Sequence, residues 1–450
     1  MADLRALLEQ GRPIFGTDGV RGEAGTELTP ELALEIGRAA GCLLSHGPVV
    51  IGRDTRRSGT MLSASLQAGF QAVGIDTVDV GVLPSGGISL LTARSGARMG
   101  AVVSASHNPA PDNGIKLLGE YGTKLPDEVE REIEARLRSG SGRSSVGGAI
   151  GIGLTDEDAL YDYVGYLADV SVYRLSGLQL TLDCANGAAF KAAPELFSRL
   201  KADVEVLAAE PNGVNINDGC GATHPEYLAA HSKGRVGLAF DGDADRLIAV
   251  DEDGRPANGD VSMAIIARHW EANGGLRNNL VVATVMSNLG FRKSMEEAGI
   301  QVIETKVGDR YVMEALQAHK GVIGGEQSGH VIFLDKGKTG DGLLTAVRLL
   351  DVMAGTGKEL RQLRLEAITE YPQVLVNVKV GRGVDLEGAA AVWEAVSEVE
   401  SDLGDEGRVL LRPSGTEPLI RVMVEAPSEE AAHKYAERLA TVVAEELGKE

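Results

Sequence analysis

Cysteine is nearly absent from this 450-residue chain: the three present, Cys42, Cys184 and Cys220, are odd in number and share no metal-ligand spacing. That excludes a disulfide framework and a cysteine-based zinc site, and leaves buried structural thiols as the expectation. Positive charge is in deficit, with 44 Lys and Arg against 65 Asp and Glu and a formal charge of −21. Nucleic-acid binding through bulk electrostatics needs a basic face, so it is not expected. An anionic substrate would have to be met by a local cluster of Arg and Lys, or by a metal. Long apolar runs are missing too. None approaches the roughly 18 residues of a membrane span, and the opening MADLRALLEQGRP is charged where a secretory signal would be apolar. The expectation is a cytoplasmic protein with no membrane partner. Aromatics make up only 4%, whereas glycine is frequent at 58 residues, which points to many tight turns and close backbone approaches. The remaining composition, 43% hydrophobic and 24% charged, is that of an ordinary globular enzyme. Its length suggests two to four domains.

The fold class read along the chain is α/β. After a Gly-punctuated loop at residues 15–22 that presents Arg21, Thr29 caps a helix with Pro30 at its first position. Strands at residues 49–51, 75–80 and 101–103 alternate with helices, ending in an amphipathic helix that carries Val129, Ile133 and Leu137. A Gly/Ser-rich stretch at 139–153 closes a first domain, 1–153. A second α/β domain, 154–253, contains strands near 178–182, 204–207, 236–240 and 247–250; a third, 254–364, has strands near 280–285 and 301–304 and a helix near 311–319. From about residue 365 the texture changes to alternating valines at 374, 376, 378 and 380, a helix, a hairpin and a final helix, read as a small α+β domain, 365–450.

Four loops carry candidate chemistry. The first, SASHNPAPDNGIK, follows a buried strand and holds Ser104, Ser106, His107 and Lys116, with turn signals at Asn108-Pro109 and Asp112-Asn113-Gly114. A loop anchored by strands at both ends can hold Ser106 still and open to solvent, as a nucleophile requires. Taken alone, a loop-capping hydroxyl explains Ser106 equally well. The second loop places Asp241, Asp243 and Asp245 within five residues between two apolar strands. Three carboxylates so close repel one another unless a hard cation sits among them, and oxygen ligands suit Mg²⁺. A calcium loop is excluded because its sixth position is Arg246 where glycine is needed. Arg246 either balances charge or donates to an oxyanion. The third loop, GGEQSGH, alternates Glu326, Ser328 and His330, groups suited to sugar hydroxyls and proton transfer, although a satisfied turn histidine is the plainer reading. The fourth, RPSGTEP, gathers Arg412, Ser414, Gly415 and Thr416, with Arg421 nine residues past Arg412. Short hydroxyls, backbone N–H groups and a guanidinium fork suit a phosphate dianion. Together the loops describe phosphoryl transfer on a phosphosugar.

In order and spacing, SASHNP, DGDADR, GGEQSGH and RPSGTEP resemble the α-D-phosphohexomutase superfamily over essentially the whole chain. FGTDGVRG, VGDRYV, Gln327 in GEQSGH and PSGTEPLIRVMVE are most similar to its bacterial phosphoglucosamine mutase branch; Ala244 departs from the Gly common there. The resemblance implies three α/β domains and a C-terminal domain, with a four-stranded antiparallel sheet and two helices, around a central cleft. It implies interconversion of glucosamine 6-phosphate and glucosamine 1-phosphate through a phosphoserine at Ser106 and a 1,6-bisphosphate intermediate or activator, feeding UDP-N-acetylglucosamine and cell-wall synthesis. By motif position, Asp241, Asp243, Asp245 and a phosphoserine oxygen on Ser106 would hold Mg²⁺. Lys116 and His330 would carry protons, and Arg21 and Arg246 would stabilise transferring charge. Glu326 and Ser328 would hold sugar hydroxyls, and Arg412, Ser414, Gly415, Thr416 and Arg421 the non-reacting phosphate. The chain would act as a monomer or homodimer. Rival readings are a phosphomannomutase or phosphoglucomutase, and a phosphosugar-binding protein without catalysis. A serine hydrolase is disfavoured, because Ser106 lacks the G-x-S-x-G elbow.

Overall fold

In the computed structural model, residues 14–16, 18–140, 143–381, 384–414 and 418–448 are described. They form two compact units: the chain as far as Met286 together with Ile300–Ala367, and Ser287–Gly299 together with the chain from Ile368.

The first unit holds three sheets. The first contains β1 (Val20–Glu23), β2 (Val49–Arg53), β3 (Thr77–Val82), β4 (Met99–Val103), β5 (Asp112–Gly119) and β6 (Gly153–Thr155), in the order β1-β5-β4-β2-β3-β6. The strands β2, β3, β4 and β6 run parallel, and β1 and β4 flank β5 antiparallel. Every residue of β4 is buried, as expected of a strand covered on both faces. Ile51, Ala101 and Val103 share one core with Ile36, Leu62, Leu66 and Phe70 of the helices Pro30–Gly41 and Gly59–Ala72. The first of these helices starts as its sequence predicts. Thr29 Oγ1 accepts the Leu32 N–H at 3.2 Å, a cap worth about 1 kcal/mol.

Two local expectations fail here. Asp112-Asn113-Gly114 is no turn: it is the start of β5, paired with Glu23, Gly22 and Arg21 of β1. Gly114 is needed for a close approach instead, since a Cβ there would stand 2.5 Å from the Ser104 carbonyl oxygen. The Gly/Ser-rich stretch does not end the first sheet at 153 either, because β6 pairs with β3 through Thr155.

The second sheet, β11-β10-β9-β7-β8, comprises β7 (Gln179–Asp183), β8 (Asp203–Leu207), β9 (Val236–Phe240), β10 (Leu247–Val250) and β11 (Pro256–Ala257). The third, β13-β12-β14-β15, comprises β12 (Leu280–Thr284), β13 (Gln301–Thr305), β14 (Ile323–Gly325) and β15 (Val331–Phe333). Loops leaving the carboxyl ends of β2, β4 and β9 carry residues 54–58, 104–111 and 241–246, the end at which parallel α/β sheets place their ligands.

In the second unit, β16 (Gln373–Lys379), β17 (Arg408–Pro413) and β18 (Leu419–Glu425) form an antiparallel sheet in the order β16-β18-β17, covered by the helices Ala390–Leu403 and Glu429–Leu447. Among the described residues this sheet has three strands, not the four implied by resemblance. The helix Leu289–Glu297 also belongs to this unit. The buried Glu425 carboxylate accepts the Leu289 N–H at 2.9 Å and the Arg408 Nε–H at 2.7 Å, and so fixes residues 287–299 to the β17–β18 hairpin.

Candidate active site

Ser106 lies where β4 ends, and it is buried, not open to solvent: only 2% of its surface is accessible. Its backbone is in the left-handed region, with φ 51°. That conformation costs a non-glycine residue about 1–3 kcal/mol unless the surroundings dictate it. They do. Ser106 N–H donates to Ser104 Oγ at 2.9 Å, and its carbonyl accepts from Arg56 Nη2 and Asn217 Nδ2, each at 2.9 Å. Ser106 Oγ thereby reaches the second sheet and donates to Asp241 Oδ2 at 2.6 Å. It lies 3.2 Å from His107 Nδ1. Burial, with Arg246 and Arg21 nearby, lowers the His107 pKa to about 4, so the ring is neutral at physiological pH.

The three aspartates expected to bind metal converge. One carboxylate oxygen from each of Asp241, Asp243 and Asp245 lies within 4.8 Å of the others, and all three side chains are buried. The loop folds tightly because Gly242 lies against the Ser106 carbonyl, where a Cβ would come within 2.5 Å of its oxygen. Ala244 carries the turn at φ 57°, a conformation that favours glycine. Partners fill part of the cluster. Asp241 Oδ1 accepts the Arg246 N–H at 3.1 Å, and Asp243 Oδ2 accepts from Ser85 Oγ at 2.6 Å. Asp243 Oδ1 and Asp245 Oδ1 are buried without a hydrogen-bond partner. Burial and mutual repulsion push the Asp241 carboxyl well above its usual range. Two orphaned hard oxygens in a cluster this acidic fit a divalent cation such as Mg²⁺.

Lys116 Nζ sits at the rim of the cluster, 3.5 Å from both Asp243 Oδ2 and Asp245 Oδ2 and 3.0 Å from Asp18 Oδ2. Burial opposes its charge, but the three carboxylates outweigh burial and hold it as an ammonium. Asp18 also pairs with Arg21. Burial raises its pKa, yet Lys116 and Arg21 bring it down to about 2. Arg21 reaches the serine loop as well, 3.4 Å from Asn108 Oδ1. Arg246 Nε lies 3.9 Å from Asp245 Oδ1.

His330 is buried with both ring nitrogens engaged: Gly340 N–H donates to Nε2 at 3.1 Å, and Nδ1 lies 3.5 Å from Asp245 Oδ2. Burial opposes protonation and Asp245 more than offsets it, raising the pKa to about 9. Both ring nitrogens meet protein groups, and Nδ1 ties the ring to Asp245. Glu326 Oε1 accepts the Gly308 N–H at 2.9 Å, while Ser328 is exposed at the tip of the same loop.

In the second unit, Arg412 and Arg421 are not merely near in sequence but directly opposed across β17 and β18. Like charges in register are unfavourable unless an anion lies between them. Gly415 and Thr416 lie outside the described residues; Ser414 follows the strand and its N–H donates to the Leu419 carbonyl at 2.8 Å.

Four domain profiles match in order: Phosphoglucomutase/phosphomannomutase, alpha/beta/alpha domain I over residues 12–143, domain II over 161–254, domain III over 258–371, and the C-terminal domain over 375–442. The chain belongs to the phosphoglucomutase/phosphomannomutase family. Family relatives named "Phosphoglucosamine mutase" are 48% identical over 444 residues in Brevibacillus brevis (96% of this chain, 99% of the relative) and 47% over 445 in Bacillus subtilis (97% and 99%). A solved phosphoglucomutase/phosphomannomutase family protein from Burkholderia thailandensis has the same fold, with a TM-score of 0.80 at 25% identity over 96% of this chain and 97% of that one. Among the described residues, no helix is long and apolar enough to cross a membrane.

Motif reading missed Asp54, Arg56, Ser85 and Asn217, which hold the serine and aspartate loops, and Asp18, which holds Lys116. Their partners lie from 2 to 158 positions away, and most are remote in sequence. Asp18 lies in the FGTDGVRG stretch but was given no role, and no local motif marks the other four.

Proposed function

We propose that this protein is a phosphoglucosamine mutase, an intramolecular phosphotransferase that interconverts glucosamine 6-phosphate and glucosamine 1-phosphate. The observation that carries this reading is the 2.6 Å hydrogen bond from Ser106 Oγ into a buried three-aspartate cluster with two orphaned oxygens. The near full-length relatives of that name favour the amino sugar over mannose or glucose phosphates.

In the primed enzyme Ser106 carries a phosphoryl group. The free hydroxyl of the sugar monophosphate attacks it: the Oγ–P bond breaks, a sugar O–P bond forms, the hydroxyl proton passes to the freed Ser106 Oγ with Lys116 or His330 as carrier, and a 1,6-bisphosphate results. The bisphosphate then returns the phosphoryl group from its other end to Ser106 Oγ, whose proton is already directed at Asp241 Oδ2. A Mg²⁺ ion held by Asp241, Asp243, Asp245 and a phosphoserine oxygen would withdraw charge from the transferring group. Lys116, Arg21 and Arg246 supply fixed positive charge around the same point, where charge spreads over the phosphoryl oxygens. His330, held beside Asp245, is assigned with Lys116 to carrying protons near the sugar hydroxyls. Glu326 and Ser328 are assigned to the sugar hydroxyls. Arg412, Arg421, Ser414, Gly415 and Thr416 are assigned to the phosphate that is not reacting, and the opposed arginines support this. The four domains are assigned to residues 1–155, 156–253, 254–364 and 365–450. The enzyme is assigned to the cytoplasm, as a monomer or homodimer, where it would supply a sugar phosphate for UDP-N-acetylglucosamine.

The test is kcat/KM for glucosamine 6-phosphate, glucose 1-phosphate and mannose 1-phosphate, measured with Mg²⁺ and the matching 1,6-bisphosphates. A preference for the amino sugar of about 100-fold or more is the expected result, the scale set by one well-read polar group. Equal or better rates on the neutral hexoses would keep the mechanism and change the substrate. No turnover of any of them would leave a phosphosugar-binding protein.

A further inference from the structure

Behind the serine loop, one cluster of buried polar groups is closed on itself. Arg56 is 2% exposed, and every N–H of its guanidinium is placed. Nη2 donates to the carbonyls of Ser106 and Asn108 at 2.9 and 2.8 Å. Nη1 donates to those of Pro109 and Asp112, and Nε to Asp54 Oδ2 at 2.8 Å. Asp54 is buried beside it; its Oδ1 accepts the Arg56 N–H at 2.9 Å, and Oδ2 accepts Ser104 Oγ–H at 2.6 Å. Ser104 Oγ in turn accepts the Ser106 N–H. The ring therefore runs Asp54, Ser104, Ser106, Arg56 and back to Asp54. It grips residue 106 by both its N–H and its C=O.

We infer that Arg56, held by Asp54, is the positioning residue of phosphoryl transfer: it fixes the left-handed backbone of Ser106 and keeps Oγ aimed at Asp241 through both transfers. The inference rests on the phosphoserine reading above. The serine must receive and release a phosphoryl group along one line, and a loop of eight residues between β4 and β5 would swing without a rigid anchor. Other cations cannot replace this one: four carbonyls and a carboxylate use all five donors of the guanidinium fork, and an ammonium has three donors radiating from one point.

The experiment measures kcat, KM and phosphate occupancy of Ser106 by mass spectrometry, for wild type, Arg56→Ala, Arg56→Lys and Ser104→Ala, with thermal unfolding alongside. Arg56→Ala is expected to lower kcat about 100-fold with KM within about threefold of wild type, the cost of a misplacement near 1 Å. Millimolar guanidinium should restore at least tenfold of that loss, and Arg56→Lys should stay impaired. If Arg56→Ala does not fold, Ser104→Ala decides, with an expected fall in kcat of about tenfold at unchanged KM. The inference is overturned if kcat stays within about threefold of wild type, if KM carries the loss, or if the folded Ala variant is not rescued. An inactive, phosphate-free wild type would instead bring down the phosphoserine reading itself.

Discussion

The serine–aspartate site of the first unit and the arginine hairpin of the second are built in opposite ways. Around Ser106 the chain gathers residues from remote positions: its partners at 56, 217 and 241 are 50, 111 and 135 residues distant. In the hairpin, Arg412 and Arg421 meet because strand register alone places them opposite each other. The first arrangement is buried and almost fully satisfied by protein groups, with two carboxylate oxygens left over. The second sets like charges side by side. Burial with fixed partners suits a group that must not move during bond making. Two arginines set in register on a hairpin suit a site that only has to attract an anion and let it go. This predicts that lesions in the first region strike kcat, and lesions in the second strike KM.

The largest expected effect follows from Ser106→Ala, which should remove turnover by roughly four orders of magnitude or more, as deletion of a nucleophile does. The fold should survive, because the backbone bonds at residue 106 do not involve its hydroxyl. Turnover and thermal unfolding measured together check both halves, and activity near wild type would end the covalent role. Asp243→Asn comes next, with a fall in kcat of about 10²–10³-fold and a Mg²⁺ titration displaced to higher concentration. An unchanged titration would remove Asp243 from the ligand set. Arg421→Ala should instead raise KM for the monophosphate about 10–100-fold at nearly constant kcat, the value of one charged hydrogen-bonding group. It should cost the free protein no stability, since it relieves a like-charge pair. A kcat-dominated loss there would erase the contrast between the two regions.

The same division explains what could be read in the sequence. Features whose causes are local were legible: the Thr29 cap, the alternation of strands and helices, and the three aspartates between β9 and β10, whose charges repeat every second residue. Opposition of Arg412 and Arg421 was half legible, as spacing suggested proximity but not register. Features whose causes are remote were misread. Asp112-Asn113-Gly114 has turn chemistry, yet Gly114 is there because the Ser104 carbonyl lies against it. Ser106 looked solvent-exposed because nothing near it in sequence announces the second sheet that covers it. Arg56 and Asp54 drew no reading from the sequence; the parallel pairing of β2 and β4 brings the ends of their loops together. The contacts of His330 with the Gly340 N–H, ten residues on, and with Asp245 were equally invisible in the sequence.

The smallest effect is the most exacting test of how firmly the aspartate loop is held. Ala244 sits buried at φ 57° between two of the carboxylates, a conformation that favours glycine. Replacing it by glycine would relieve about 1–2 kcal/mol of left-handed strain. Against this stand the lost burial of a methyl group, about 0.8 kcal/mol, and the added freedom of the unfolded chain, about 0.4–1 kcal/mol. The terms nearly cancel, so Ala244→Gly should shift stability by less than about 1 kcal/mol, with kcat and the Mg²⁺ titration unchanged. The loop's shape is set elsewhere, by the Ser106 carbonyl against Gly242, the Ser85 hydroxyl on Asp243 and the Arg246 N–H on Asp241. Denaturant unfolding and metal titration of the variant measure the two quantities. If stability holds but metal affinity falls, the methyl at 244 itself constrains the carboxylates, and the rigidity assigned to those remote partners would be partly local after all.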